Sequence, residues 1–191
     1  MLLHLSAMRV NDIKRYREGR PSAKLNVLLS FPYRSGDTSE ILGMRQRGEL
    51  GSVILDSGAY TDQNAQMPTS LPRYIAYLQG YGQKYDHYFN LDSDFSEVGF
   101  STENLENIIQ MRQAGLHPVP VIHNVYGGEV EHYVKEAPPI VALGSTQARD
   151  LRIMKKVFND FQGLATKIHI FGTTEYRKLI EVPAYSCDSA T

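Results

Sequence analysis

One cysteine, Cys187, and no tryptophan occur in the 191 residues. A lone cysteine excludes an intrachain disulfide and a zinc site built from several cysteines, so a cytoplasmic location is the simplest expectation. Net charge is nearly absent too, since 20 Lys and Arg stand against 21 Asp and Glu to leave a formal charge of −1. Such a balance gives no global attraction to phosphates, and contact with nucleic acid would need a local patch or a partner chain. Long apolar runs are missing, and the opening Met1-Leu2-Leu3 is interrupted by His4 and then Arg9, too short for a secretion signal. A soluble protein with no membrane contact is expected. Also missing are G-x-x-x-x-G-K-[ST], G-x-G-x-x-G and G-x-S-x-G, the fingerprints of triphosphate binding, dinucleotide binding and serine hydrolysis. No H-x-H or H-E-x-x-H spacing supports a metal site, and neither a metal nor a cofactor is expected.

What remains is 42% hydrophobic and undivided by any Pro/Gly/Ser-rich linker, which predicts one domain over residues 1–191. Short apolar runs recur at residues 2–6, 25–31, 52–56, 87–92, 118–123, 139–144, 167–172 and 184–188, eight candidate strands. Helical periodicity falls between them, at Leu71, Tyr74, Ile75 and Leu78, at Leu105, Ile108 and Ile109, and at Leu151, Met154, Val157, Phe158 and Phe161. Ser101-Thr102-Glu103-Asn104 offers N-caps, Gly115 and Pro118 end one helix, and Gly163 closes another. Strand and helix alternate throughout. This predicts an α/β fold with a parallel sheet, a compact (β/α)8 TIM-like barrel, with a doubly wound open sheet as the alternative. Thr191 follows Asp188 by only three residues, so no eighth helix is expected. The flank between the first and last strands would then be covered by a second copy or a partner subunit.

Three carboxylates sit at or just past the ends of these runs: Asp56 after Val53-Ile54-Leu55, Asp92 after Tyr88-Phe89-Asn90-Leu91, and Asp188 after Ala184-Tyr185-Ser186-Cys187. Strand C-termini of a barrel open on one face, so the three are predicted to converge in one pocket. Mutual repulsion and desolvation there would raise the pKa of at least one, separating an acid from a nucleophile. In Asp56-Ser57-Gly58-Ala59-Tyr60 an acid, a hydroxyl and a glycine can surround a small polar ligand, or simply build a turn. Asn90-Leu91-Asp92-Ser93-Asp94 lacks the glycine and glutamate of a calcium loop, and of its two acids Asp92 is expected to point inward. His123 and His169 lie at or near strand ends. Base contact and proton transfer compete with a packed structural role at His123, and the structural role is favoured at His169. Gly144 and Gly172 end the sixth and seventh strands, where their amides either face a ligand or serve plain turns.

Taken in order, these segments resemble the tRNA-guanine transglycosylase superfamily, the queuine and archaeosine tRNA-ribosyltransferases with their phage or DNA-directed 7-deazaguanine relatives. The resemblance runs from about Val53 to Asp188. Asp56-Ser57-Gly58-Ala59-Tyr60 is similar to the family's D-S-G-G-[FY], Ala142-Leu143-Gly144 to its A-x-G, Ile170-Phe171-Gly172-Thr173-Thr174 to its M-G-V-G-T, and Tyr185-Ser186-Cys187-Asp188 to its F-D-C. What the resemblance implies is a pentosyltransferase that exchanges or cleaves a guanine or 7-deazaguanine base at a ribose C1′. Asp188 would be the nucleophile and Asp56 the general acid and base. Ser57, Gly58, Asp92, His123, Gly144 and Gly172 would bind the base, with Tyr60 or Phe95 stacked on it. His123 stands where the family has a glutamine, and the family's zinc subdomain, with its basic surface, has no counterpart. The substrates implied are a purine or 7-deazaguanine base with tRNA, DNA or a nucleoside. A deazaguanine nucleoside hydrolase and a non-catalytic subunit of a larger base-exchange complex are the alternatives.

Overall fold

The computed structural model describes residues 1–31, 36–59, 69–95, 98–173 and 175–188. All eight apolar runs supply strands: β1 (Leu2–Leu5), β2 (Asn26–Ser30), β3 (Ser52–Asp56), β4 (His87–Tyr88), β5 (Val121–Ile122), β6 (Ile140–Leu143), β7 (Lys167–Ile170) and β8 (Ser186–Asp188). They form one parallel sheet in the order β4-β3-β2-β1-β8-β7-β6-β5. The first and last strands are thus neighbours at its centre, with His4 in register with Asp188.

The sheet curls, and its edges β4 and β5 meet at one residue pair outside the regular ladder, Phe89 with Val119. There the Val119 amide donates to the Tyr88 carbonyl at 2.8 Å and the Asn90 amide to the Val119 carbonyl at 2.9 Å. A closed ladder, as the barrel expectation implied, is therefore not present. Pro118 and Pro120 flank Val119 and carry no N–H; the Pro120 carbonyl still accepts the Ala142 amide at 2.8 Å, on the β6 side.

Seven α-helices occupy the described residues: α1 (Val10–Gly19), α2 (Asp37–Gln46), α3 (Leu71–Tyr81), α4 (Thr102–Gln113), α5 (Glu129–Glu136), α6 (Leu151–Asp160) and α7 (Tyr176–Leu179). Three of them, α3, α4 and α6, span the apolar periodicity read from the sequence, but in α4 Ile109 is exposed and the buried face is Asn104, Asn107, Ile108 and Met111. The others are short and charged, and α1 buries only Val10 and Ile13. Ser101 caps α4 as expected, its hydroxyl accepting the Asn104 amide at 3.2 Å.

Apolar side chains fill three regions. Val27, Val53 and Leu55 pack outward against α1, α2 and α3, and Val141, Ile168 and Cys187 against α5 and α6. Leu28, Ile54, Phe89, Val121 and Ala142 fill the inside of the curl. On β1, Leu3 remains 42% exposed. No helix among the described residues is long and apolar enough to cross a membrane.

Candidate active site

Asp56 ends β3, Asp188 ends β8, and Asp92 lies four residues past β4. Because all strands run in one direction, their ends share a face, and all three carboxylates line one cavity of about 630 Å³. Ser57, Phe95, His123, Gly144 and Gly172 line the same cavity. Gly58 is not on its wall, and Tyr60 lies outside the described residues.

Asp56 and Asp188 are held alike. At each strand end a glycine two residues or one strand away turns left-handed, Gly58 with φ of 73° and Gly172 with φ of 62°. That conformation costs glycine little, and it aims the glycine amide at the carboxylate. Gly58 N–H donates to Asp56 Oδ2 at 3.1 Å, and Gly172 N–H to Asp188 Oδ1 at 2.8 Å. Burial nevertheless pushes Asp56 up to about 7, against the Gly58 amide and with the charges of Asp188 and Asp92 adding to the rise. Near neutrality this carboxyl holds a proton on a substantial fraction of molecules.

Asp92 is fixed differently, by side chains. Asn90 Nδ2 donates to its Oδ1 at 2.8 Å, and His123 Nε2 lies 2.9 Å from its Oδ2. The loop carrying Asp92 is clamped from α4. Asn104 Oδ1 accepts the amides of Ser93 and Asp94 at 2.8 and 3.0 Å, and Asn107 Nδ2 donates to the Leu91 carbonyl at 2.8 Å. Asn104 and Asn107 are three apart, hence on one face of the helix. This is why Asp92 is delivered into the cavity although regular β4 ended at Tyr88.

His123 in turn is set by Glu129. That buried carboxylate, at the first position of α5, accepts the His123 and Asn124 amides at 2.6 and 3.0 Å. Burial alone would lower the His123 pKa; the charge and contact of Asp92, with Glu129 and Asp94, outweigh it and raise the pKa above its ordinary value. Phe95 packs edge-on to this imidazole, ring centres 4.9 Å apart.

The two strand-end glycines do not offer their amides to a ligand. Gly144 N–H is used by the sheet, donating to the Ile122 carbonyl at 2.9 Å, and Gly172 N–H is used by Asp188. Gly144 matters instead for space: a β-carbon there would sit 2.9 Å from Val121 Cγ1 and 3.4 Å from His123 Cε1.

Asn107 and Glu129 carried no reading from the sequence, and Asn90 and Asn104 were read only as parts of a loop and a helix cap. Asn90 stands two residues before Asp92, and Glu129 follows the Gly127-Gly128 pair, a turn-then-helix pattern that could have marked it. Arg149, exposed at the cavity rim after β6, also carried no sequence signal. Among the described residues no group of three or more His, Cys, Asp or Glu is placed to hold a metal ion. No protein-family model matches the chain, and no curated protein matches it significantly.

Proposed function

We propose that the protein is a transglycosylase-like enzyme that exchanges or cleaves a guanine or 7-deazaguanine base at a ribose C1′, using Asp188 as nucleophile. The single observation that carries the reading is that Asp56, Asp92 and Asp188 line one cavity and are each held by different donors. Asp56 and Asp188 share a glycine-amide donor but Asp56 is the one whose carboxyl is pushed up to about 7, and Asp92 is held by side chains, so the three can take the roles of proton donor, nucleophile and recognition group. In keeping with this we read the curled sheet as a TIM-like (β/α)8 barrel with its site at the strand C-termini.

Asp92 suits recognition. Asn90 donates to one of its oxygens and the other lies 2.9 Å from His123 Nε2, and each oxygen keeps a further lone pair, so the carboxylate can accept from adjacent ring and exocyclic N–H groups of a guanine-like edge. The partly protonated Asp56 suits a leaving base. In the first step a bond forms between an Asp188 oxygen and C1′ while the C1′–N bond breaks, its electron pair leaving with the base and Asp56 supplying a proton. In the second, an incoming base or water attacks C1′, Asp56 takes the proton back, and the C1′–O bond to Asp188 breaks with its electron pair returning to the carboxylate.

Labelled guanine or 7-deazaguanine incubated with the protein and tRNA, DNA or nucleoside separates the readings. Incorporation of label means exchange, and release of base without incorporation means a hydrolase. Inertness toward all three acceptors defeats the catalytic reading and leaves a subunit role.

A further inference from the structure

We propose that His169, fixed by Ser186, is the positioning residue of Asp188: it directs a ring N–H at Oδ1 and leaves Oδ2 as the attacking oxygen. The proposal rests on the reading of Asp188 as nucleophile.

His169 stands on β7 inside the curl, 1% exposed, and its ring packs against those of Phe89 and Phe171, ring centres 5.0 and 4.8 Å away, which also touch each other. It cannot swing to another partner. Nδ1 lies 2.8 Å from Ser186 Oγ, the residue across the β7–β8 ladder. Nε2 is sealed from solvent without a hydrogen-bond partner and lies 3.6 Å from Asp188 Oδ1. A buried imidazole nitrogen left unmatched costs free energy, so its aim at a carboxylate is informative.

The tautomer follows from these neighbours. If Nδ1 carried the proton, the Nε2 lone pair would face the Asp188 oxygen and repel it. If the Ser186 hydroxyl donates to Nδ1, the ring proton sits on Nε2 and points at Oδ1. At 3.6 Å this contact is electrostatic, not yet a hydrogen bond, and such contacts shorten when a site closes on its substrate. Gly172 N–H already donates to the same oxygen at 2.8 Å. Both donors therefore meet Oδ1, and Oδ2 has neither.

This asymmetry serves the second step most. As the incoming base or water bonds to C1′, the C1′–Oδ2 bond breaks and its electron pair returns to the carboxylate, where the charge spreads onto Oδ1. Two preorganised N–H groups are waiting there. His4, in register with Asp188 on β1, has its Nε2 2.7 Å from Ser52 Oγ.

Two measurements test the assignment. Long-range ¹H–¹⁵N spectra of histidine-labelled protein should show the ring proton of His169 on Nε2 and none on Nδ1, and Ser186→Ala should shift that tautomer balance. With exchange substrates, His169→Leu should lower kcat on the order of 10²-fold with an unchanged KM for the base, while the covalent adduct accumulates. His169→Gln, which keeps an N–H near the Nε2 position, should recover most of the loss. A proton on Nδ1 in the wild type overturns the proposal, even if His169→Leu fails to fold. So does wild-type kcat in folded His169→Leu when Asp188→Asn is inactive, and that result leaves the nucleophile reading standing. Full activity in folded Asp188→Asn removes both.

Discussion

Oδ2 of Asp92 lies 2.9 Å from Nε2 of His123, with both side chains less than one-tenth exposed. The pair joins a loop after β4 to the end of β5, across the very place where the ladder is interrupted. It is an electrostatic link where the backbone supplies only one bridge. Since the His123 pKa is raised, burial notwithstanding, by Asp92 and then by Glu129 and Asp94, the folded state binds the His123 proton more tightly than the unfolded chain does. That contribution to stability is fully present below the ordinary value of 6.5 and is lost as pH rises through the higher folded value. Urea unfolding of wild type and His123→Gln across this range should show a wild-type advantage that shrinks with rising pH. An advantage independent of pH would mean the pair is not charged.

Asp56 has the same sign over a lower range of pH. Its carboxyl titrates near 7 in the folded protein against 3.8 ordinarily, so the folded state holds a proton that the unfolded chain releases, and stability falls as pH rises between those values. Above about 7 the penalty is complete, up to roughly 4 kcal/mol at 1.36 kcal/mol per unit. Asp56→Asn should therefore be more stable than wild type at pH 8 and similar at pH 4, while base binding and turnover both weaken. Equal stability of the two proteins at every pH would place Asp56 in an ordinary solvated environment.

His4 opposes Asp56 over part of this range. Burial, then the neighbouring His169, lowers its pKa to about 4 from 6.5, so the unfolded chain binds the proton first and stability rises with pH between those values. In wild type the two slopes partly cancel. Asp56→Asn should uncover the rising limb between about pH 4 and 6.5, visible as a steeper gain in melting temperature than the wild type shows.

Gly144 tests packing apart from chemistry. Its missing β-carbon makes room for Val121, whose Cγ1 would stand 2.9 Å away, and for the ring of His123. Gly144→Ala should cost about 1–3 kcal/mol and displace His123, seen as weaker base binding. Val121→Ala in the same protein should recover stability relative to the sum of the single variants, because the two changes share one contact. Simple additivity would place the strain elsewhere.

For Asp188, replacement by Asn keeps the shape and an acceptor for the Gly172 amide but removes the attacking charge. Asp188→Asn should retain the wild-type fold by circular dichroism and lose both base exchange and the covalent adduct. A trapped sugar adduct on the variant would point to a different nucleophile.

The eight strands were legible because each is a short apolar run whose period and punctuation are local, and parallel order follows from their alternation with helices. The convergence of Asp56 and Asp188 was legible for the same reason, since a carboxylate at a parallel strand end has its face decided by the strand, whereas Asp92, four residues past β4, reaches the cavity through the loop that Asn104 and Asn107 hold. Helices α1, α2, α5 and α7 were harder to read: α7 has only four residues, and the buried residues of α2, Ile41, Leu42 and Met44, are bunched rather than spaced by a turn. The donors also escaped. Asn107 is 16 residues from the Leu91 carbonyl it holds, and Ser186 is 17 from His169. No spacing rule relates residues that far apart, so only the folded sheet, by placing β8 beside β7 and α4 over the loop after β4, decided which polar groups meet and which oxygen of each carboxylate is left for a ligand.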